Sequence, residues 1–168
     1  MERSQINKED TWDLTKIFKN NAEYDKVYQE VLAKIDEIKA MKSHILDDEN
    51  TLYKYLKTND ELSIFLGKIY KYSYLYHYQD ANATEGKKYK EKAESLLTKV
   101  TQELAFTKNE LLSADYEIIK ELIKKNAKLE EYAFGLECLY RYKKCTLSEK
   151  EEQIIASFET ILGTGDDA

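Results

Sequence analysis

Apolar residues return every three or four positions through most of this chain, with charged and polar residues between them. That spacing follows the turn of an α-helix, not the two-residue alternation of a half-buried strand. Tyr24, Tyr28, Val31, Ile35 and Ile38 define a first helical face. Asn20 followed by Glu23 has the form of a capping box, in which side chains cover free backbone N–H groups at a helix start. The helix it opens should close near Lys42. Asp47 and Asp48 offer a cap for a short helix carrying Leu52, Tyr55 and Leu56, and Thr58-Asn59-Asp60-Glu61 reads as a second box-like start. The long segment after it carries Leu62, Phe65, Leu66, Ile69, Tyr70, Tyr72, Leu75 and Tyr76, and runs to about Asp80.

Asp80-Ala81-Asn82-Ala83-Thr84 is a turn signal. A helix from about Glu85 to Phe106 follows, with Tyr89, Ala93, Leu96, Leu97, Val100 and Leu104 facing inward. Thr107 to Ala114 breaks the pattern, and Asp115 can cap a helix bearing Ile118, Ile119, Leu122 and Ile123. Asn126 is a stop, after which Leu129, Tyr132, Ala133, Leu136, Leu139 and Tyr140 define the next face. Ser148-Glu149-Lys150-Glu151 is a capping box for a last helix with Ile154, Ile155, Phe158, Ile161 and Leu162, and Gly163 stands where a helix stop belongs. The expected fold is all-α, a bundle or array of six to seven amphipathic helices packed stripe on stripe. Residues 1–20 form an irregular segment with an apolar patch at Trp12, Leu14, Ile17 and Phe18; residues 21–163 form the helical domain, and 164–168 a tail. Neither an internal repeat nor a linker divides the chain.

Composition agrees with this pattern. The 168 residues include no proline and five glycines, whereas a β-rich fold of this length needs many turns built from both. Charged residues make up 35% and hydrophobic residues 42%, too apolar for disorder and too charged for a membrane span. Met1-Glu2-Arg3-Ser4-Gln5 leads into no apolar run, so no secretory signal is expected and a cytoplasmic setting follows. A formal net charge of −6 argues against nucleic acid as the main partner. Two basic clusters, Lys87, Lys88, Lys90 and Lys92, then Arg141, Lys143 and Lys144, read as solvated helix faces.

The search for chemistry returns little. A zinc hydrolase motif His-Glu-x-x-His needs two imidazoles one turn apart, and the two histidines here are His44 and His77. Met41 and Tyr74, three residues before them, exclude the Glu-x-x-His pairs of a di-iron bundle. Cys138 and Cys145 on one helix would be separated by about 10.5 Å of rise, too far for a disulfide or a shared metal, and read as small apolar fillers. His77 could be oriented by Asp80, but a surface or capping role near a helix end accounts for it. No catalytic, cofactor-binding or metal-ligating residue is assigned. Tyrosine is the unusual feature: the chain has 14, and Tyr70, Tyr72, Tyr74, Tyr76 and Tyr78 alternate within one segment. On a helix they spread around the cylinder, so some face away from the core, where they can pack on neighbours or offer a second contact face.

Thr11-Trp12-Asp13-Leu14-Thr15-Lys16-Ile17-Phe18 resembles the segment that opens oligoendopeptidase F proteins. The Tyr-rich helix ending at Asp80, Phe106 with Asn109-Glu110-Leu111-Leu112, and Leu129 through Glu152 are similar to later family elements in the same order. Two departures are Cys145, where the family often has histidine, and Asn109, where it often has proline. The resemblance implies the N-terminal helical domain of a cytoplasmic zinc metallopeptidase, with the catalytic motif beyond Ala168. It also implies zinc in the catalytic domain of the parent and none in this chain. The partners it implies are that catalytic domain and short peptides in a shared channel, with no nucleic acid and no membrane. Two rival readings are a stand-alone helical module docking through its tyrosine face and a small coiled-coil homodimer. The second is weakened because the heptad-like run from Tyr24 to Ile38 is short.

Overall fold

A computed structural model describes residues 6–7, 11–143, 147, 150, 151, 154, 155 and 158, and among them no strand occurs. The helical segments are α1 (Asn21–Ala40), α2 (Glu49–Gln79), α3 (Thr84–Leu104), α4 (Phe106–Ser113), α5 (Tyr116–Lys125) and α6 (Ala133–Arg141). Short 3-10 stretches at Leu14–Lys16 and Ala127–Tyr132 complete the order. Ala105 keeps helical dihedrals (φ −54°, ψ −27°), so the backbone stays helical from α3 into α4. With α3 and α4 counted as one, residues 11–143 hold five distinct helices, not the six to seven expected.

The overcount has a physical origin. Thr58 through Glu61 does not start a helix but lies inside α2, and Thr58 is buried. Leu52, Tyr55, Leu62 and Ile69 form one unbroken buried stripe through that point. Backbone N–H groups in a continuing helix already have acceptors four residues back, so a box-like quartet there has nothing to cap. Thr107 to Ala114, expected to break the pattern, is α4; the Thr107 hydroxyl donates to the Leu104 carbonyl at 2.8 Å across the junction. Leu97, expected inside, is 40% exposed. Ser148, Glu149, Ile161, Leu162, Gly163 and the 164–168 tail lie outside the described residues, while Lys150, Glu151, Ile154, Ile155 and Phe158 are helical.

The starts at Asn20 and Asp48 act as read, whereas Asp115 precedes α5 without a side-chain capping hydrogen bond. Asn20 Oδ1 accepts from Glu23 N at 3.0 Å, and Glu23 Oε2 reaches back to Lys19 N at 2.7 Å. Asp48 Oδ1 accepts from Asn50 N and Thr51 N, both at 2.8 Å, and these backbone bonds hold its carboxyl below the usual range. Asn126 ends α5 and its side chain accepts from Lys128 N, opening the 3-10 stretch.

Contacts group the chain into two compact units, 1–33 with 61–99 and 34–60 with 100–168. The core of the first gathers Phe18, Tyr24, Val31, Leu62, Ile69, Tyr72, Ala93 and Leu96. In it, α2 turns into α3 at Asp80, whose Oδ1 accepts from Asn82 N at 3.1 Å. The two helices approach so closely there that a Cβ on Gly86 would stand 2.9 Å from His77 Cα and 3.2 Å from the Tyr76 carbonyl.

The core of the second unit gathers Ile35, Ile38, Ile45, Leu52, Phe106, Ile119, Leu129 and Leu136, among others. Its α1 ends in a turn where Ser43 takes φ 69°, a left-handed conformation that strains any residue with a Cβ. Glu110 on α4 holds the turn, its carboxylate accepting from Ser43 N and Ile45 N at 2.8 Å each. The Tyr140 hydroxyl donates to the carbonyls of Leu111 and Ala114 and ties α6 to the end of α4.

Gly86→Ala should lower stability by about 1–2 kcal/mol, because backbone must move to admit the methyl. Gly67→Ala, inside α2 with nothing within 4 Å of its Cβ position, should instead raise it by up to about 1 kcal/mol. Opposite shifts in denaturation midpoint would confirm that close approach, and not helix propensity, requires the first glycine. Glu110→Ala should cost about 2 kcal/mol by stripping two amides of a charged acceptor, and Ser43→Gly should recover up to about 1 kcal/mol in the same urea titration.

Candidate functional site

The alternating tyrosines of α2 resolve into two ladders, because residues two apart on a helix stand about 200° apart and residues four apart stack. Tyr72 and Tyr76, with ring centroids 5.8 Å apart, turn toward the first unit's core. There Tyr72 meets Phe18 at 5.2 Å and Tyr89 at 5.9 Å, and Tyr76 meets Tyr89 at 5.4 Å. Tyr24 is fully buried in the same cluster, edge-on to Phe18 and Tyr89, and its hydroxyl shares a hydrogen bond with buried Ser73 at 3.2 Å.

The second ladder, Tyr70, Tyr74 and Tyr78, is stacked at 4.1 Å and then tilted at 6.1 Å, and its two ends are exposed. The α3 helix covers it with polar groups. Tyr74 donates to Glu94 at 2.7 Å, and Lys90 lies over the rings of Tyr74 and Tyr78 at 5.4 and 5.9 Å. Lys92 makes a similar bridge, 4.4 Å over Tyr28 and 2.9 Å from Asp25. These lysines, read from the sequence as a solvated face, are packed on aromatic rings, where the ring quadrupole attracts a cation.

A groove of about 340 Å³ opens beside the first ladder, lined by Thr11, Trp12, Asp13, Leu14, Thr15, Tyr72, Tyr76 and Gln79. Gln79 Nε2 donates to the Trp12 carbonyl at 2.9 Å and fixes the N-terminal segment against the end of α2. Asp13 Oδ1 accepts from Thr15 N at 3.2 Å and from the Thr15 hydroxyl, which shapes the 3-10 turn at Leu14–Lys16. Trp12 is 53% exposed in this groove. The sequence placed Trp12 in an apolar patch, but nothing in its periodicity showed that the patch would face the tyrosine ladder. A second groove, of about 400 Å³, lies beside Lys42, Ser43, Phe106 and Glu110 in the other unit.

Among the described residues, the remaining chemistry-bearing side chains are not gathered into a site. His44 Nδ1 is 2.7 Å from Asp47 on an exposed turn. His77 is half-buried in the last turn of α2, its ring 5.1 Å from that of Tyr78 and its Nδ1 buried without a hydrogen-bond partner among the described residues. Asp80, which the sequence offered as a possible orienting group, accepts from Asn82 N in the turn that follows. Cys138 is half-buried on α6, and Cys145 lies outside the described residues. Arg141 pairs with Glu137 at 2.6 Å, and Lys143 donates to the Ala114 carbonyl at 3.1 Å. Lys144 lies outside the described residues. Among the described residues there is no group of three His, Cys, Asp or Glu that could hold a metal, and no helix long and apolar enough to cross a membrane.

Comparison with known proteins connects this arrangement to one family. The family model described as Oligopeptidase F matches residues 110–168. Oligopeptidase PepF of Bacillus subtilis is 28% identical over 163 residues, spanning 97% of this chain and 24% of its own length. Group B oligopeptidase PepB of Streptococcus agalactiae is 27% identical over 161 residues, 96% of this chain and 27% of its own. The crystal structure of oligoendopeptidase-F from Enterococcus faecium shares the fold with a TM-score of 0.76 at 21% identity, over 84% of this chain and 28% of that one. This chain thus matches the N-terminal domain of oligoendopeptidase F-family (M3 peptidase) proteins, and it spans about a quarter of the length of the curated relatives it matches.

The tyrosines make the fold sensitive to alkali. Burial pushes the Tyr24 phenol up to about 12, against the lesser pull of the Ser73 hydrogen bond, and burial pushes Tyr140 up to about 12 as well. Tyr74 is raised further, by burial first and then by hydrogen bonds with Tyr70 and Glu94. A phenol with a raised folded pKa keeps its proton after the unfolded chain has lost it. The stabilisation is therefore complete below about pH 10 and is lost as pH climbs through the folded values. Stability should fall by about 1.4 kcal/mol per pH unit for each such tyrosine between pH 10 and 12. Tyrosinate absorbance should show a late-titrating fraction that merges with the rest in urea, and Tyr24→Phe should make the alkaline slope shallower.

Proposed function

We propose that this chain is the N-terminal helical part of an oligoendopeptidase F-like zinc metallopeptidase, forming one wall of a channel that admits short peptides. The supporting observation is the collinear match along 97% of the chain to only 24% of a longer oligopeptidase. The two histidines cannot form His-Glu-x-x-His, so a zinc ion that activates water for peptide hydrolysis would be held by residues outside this sequence. What the chain contributes is shape and surface. Phe134 and Tyr142 on and just after α6 are 71% and 68% exposed, an apolar display that the rest of a longer protein would cover. The grooves and the outer tyrosine ladder would face peptide or solvent, and their hydroxyls and carboxylates suit polar main chain better than a dry core.

On this reading, the purified chain turns over no quenched-fluorescence peptide with added zinc, and the reading frame past Ala168 carries a His-Glu-x-x-His. Zinc-dependent turnover by the chain itself would overturn the assignment. A stop codon directly after Ala168 would favour the rival, an interaction module that docks through its tyrosine face.

A further inference from the structure

The outer tyrosine ladder joins two features that oxidative coupling of phenols requires. A phenol gives up an electron readily only when a base takes its proton in the same step. Tyr74 has that base, since its hydroxyl donates to the Glu94 carboxylate at 2.7 Å. Lys90 stands over the Tyr74 and Tyr78 rings, and a cation there opposes positive charge left on a ring. Electron and proton therefore leave Tyr74 together, giving a neutral tyrosyl radical. The second feature is a partner ring. Tyr70 stacks on Tyr74 with centroids 4.1 Å apart and planes at 28°, and a hydrogen bond links the two hydroxyls. Stacked phenols with adjoining hydroxyls bring their ortho carbons together. Other tyrosines meet one condition without the other. Tyr76 donates to Glu85 at 3.1 Å, but Tyr72 and Tyr89 lie at 5.8 and 5.4 Å from it, the second edge-on. Tyr132 bonds to Asp60 and meets Tyr53 edge-on at 6.3 Å. Tyr116 and Tyr140 lie 4.9 Å apart, yet the Tyr140 hydroxyl donates to backbone carbonyls, which are poor bases.

We infer that Tyr70 and Tyr74 form an oxidative modification site, where a one-electron oxidant joins the two rings as dityrosine. Tyr70 and Tyr78 are both exposed, so a dissolved oxidant meets the ladder at its ends. The first oxidation takes an electron from Tyr74 and passes its proton to Glu94, which returns it to water. The second takes an electron from Tyr70, whose proton leaves to water directly. The two radicals then form a carbon–carbon bond between ortho positions. Each ring's ortho hydrogen shifts to its oxygen as aromaticity returns. Every tyrosine thus loses one electron and one proton, and two equivalents of oxidant are reduced. The new bond closes across one turn of α2, because residues four apart share a helix face.

The probe is ruthenium(II) tris-bipyridyl with light and a cobalt(III) electron acceptor, which together generate ruthenium(III), a one-electron oxidant. The complex is cationic, and the chain's net charge of −6 favours its approach. Dilute protein should develop dityrosine fluorescence without forming dimers on a denaturing gel. Trypsin then maps the link, since Lys71 lies between the two tyrosines and cleavage there separates 69–71 from 72–87. After oxidation these two peptides should stay joined, lighter than their sum by one hydrogen per tyrosine, with fragmentation placing the link at Tyr70 and Tyr74. Tyr78→Phe should retain the link, and Tyr70→Phe should abolish it. Glu94→Gln keeps an acceptor for the Tyr74 hydroxyl but is a far weaker base. It should lower the yield at unchanged helix content by circular dichroism. Links mapped chiefly to other tyrosines, a mainly intermolecular product, or an undiminished yield in Glu94→Gln would overturn the inference. None of these outcomes bears on the peptidase assignment, which turnover and the downstream reading frame decide.

Discussion

The hydrogen bond between Tyr24 and Ser73 is the constraint on which the first unit is organised. Both residues are fully buried, one in the first turn of α1 and the other on α2. A phenol sealed from water loses about 1–3 kcal/mol if its hydroxyl has no partner, so the two helices must meet in the register that brings these oxygens together. The tyrosine ring then determines what else can pack. Phe18 stands edge-on to it and brings the N-terminal segment in, and Tyr89 does the same for α3. The groove wall follows from this, since Tyr72 and Tyr76 are held by the same rings that hold Phe18 and Tyr89.

Helix faces were legible in the sequence wherever apolar spacing was continuous. Tyr24, Val31, Ile35 and Ile38 are buried as their spacing implies, and Asn20, Asp48 and Asn126 cap the elements they precede. Boundaries failed where a local signal had to be weighed against a longer one. The Thr58 quartet looked like a start, but the stripe through Leu52, Tyr55 and Leu62 buries more surface than a cap could replace. The passage from α3 into α4 was hidden because polar residues from Thr107 to Asn109 interrupt the apolar pattern, while the backbone stays helical through Ala105. Glu110 was read only as part of a family element. Its grip on Ser43 N and Ile45 N joins residues 65 or more positions apart, and no short-range pattern encodes that. The groove at Trp12 was invisible for the same reason, because its two sides come from residues 67 positions apart.

The alternating tyrosines show how composition and geometry together separate core from surface. A helix with tyrosine at every second position carries two aromatic stripes on nearly opposite sides, and one core can take only one of them. Here Tyr72 enters the core while Tyr70 and Tyr78 remain exposed. The α3 helix meets the outer stripe with Lys90 and Glu94 in place of leucines, so the contact is made of a cation over rings and a hydroxyl on a carboxylate. Such contacts tolerate water, which a leucine contact does not require and a buried phenol would miss.

That difference bears on why the stripe is tyrosine and not phenylalanine. A Phe ladder at 70, 74 and 78 would present apolar surface with no means of ending it at solvent. The tyrosine hydroxyls give the ladder a polar edge, and Glu94 sets the direction in which that of Tyr74 points. The first unit can therefore carry a broad aromatic surface on a helix pair without a second core beneath it. The same logic explains the single exposed tryptophan. With Gln79 holding its backbone and Asp13 shaping the turn that follows, the indole is positioned by polar bonds and its ring stays available.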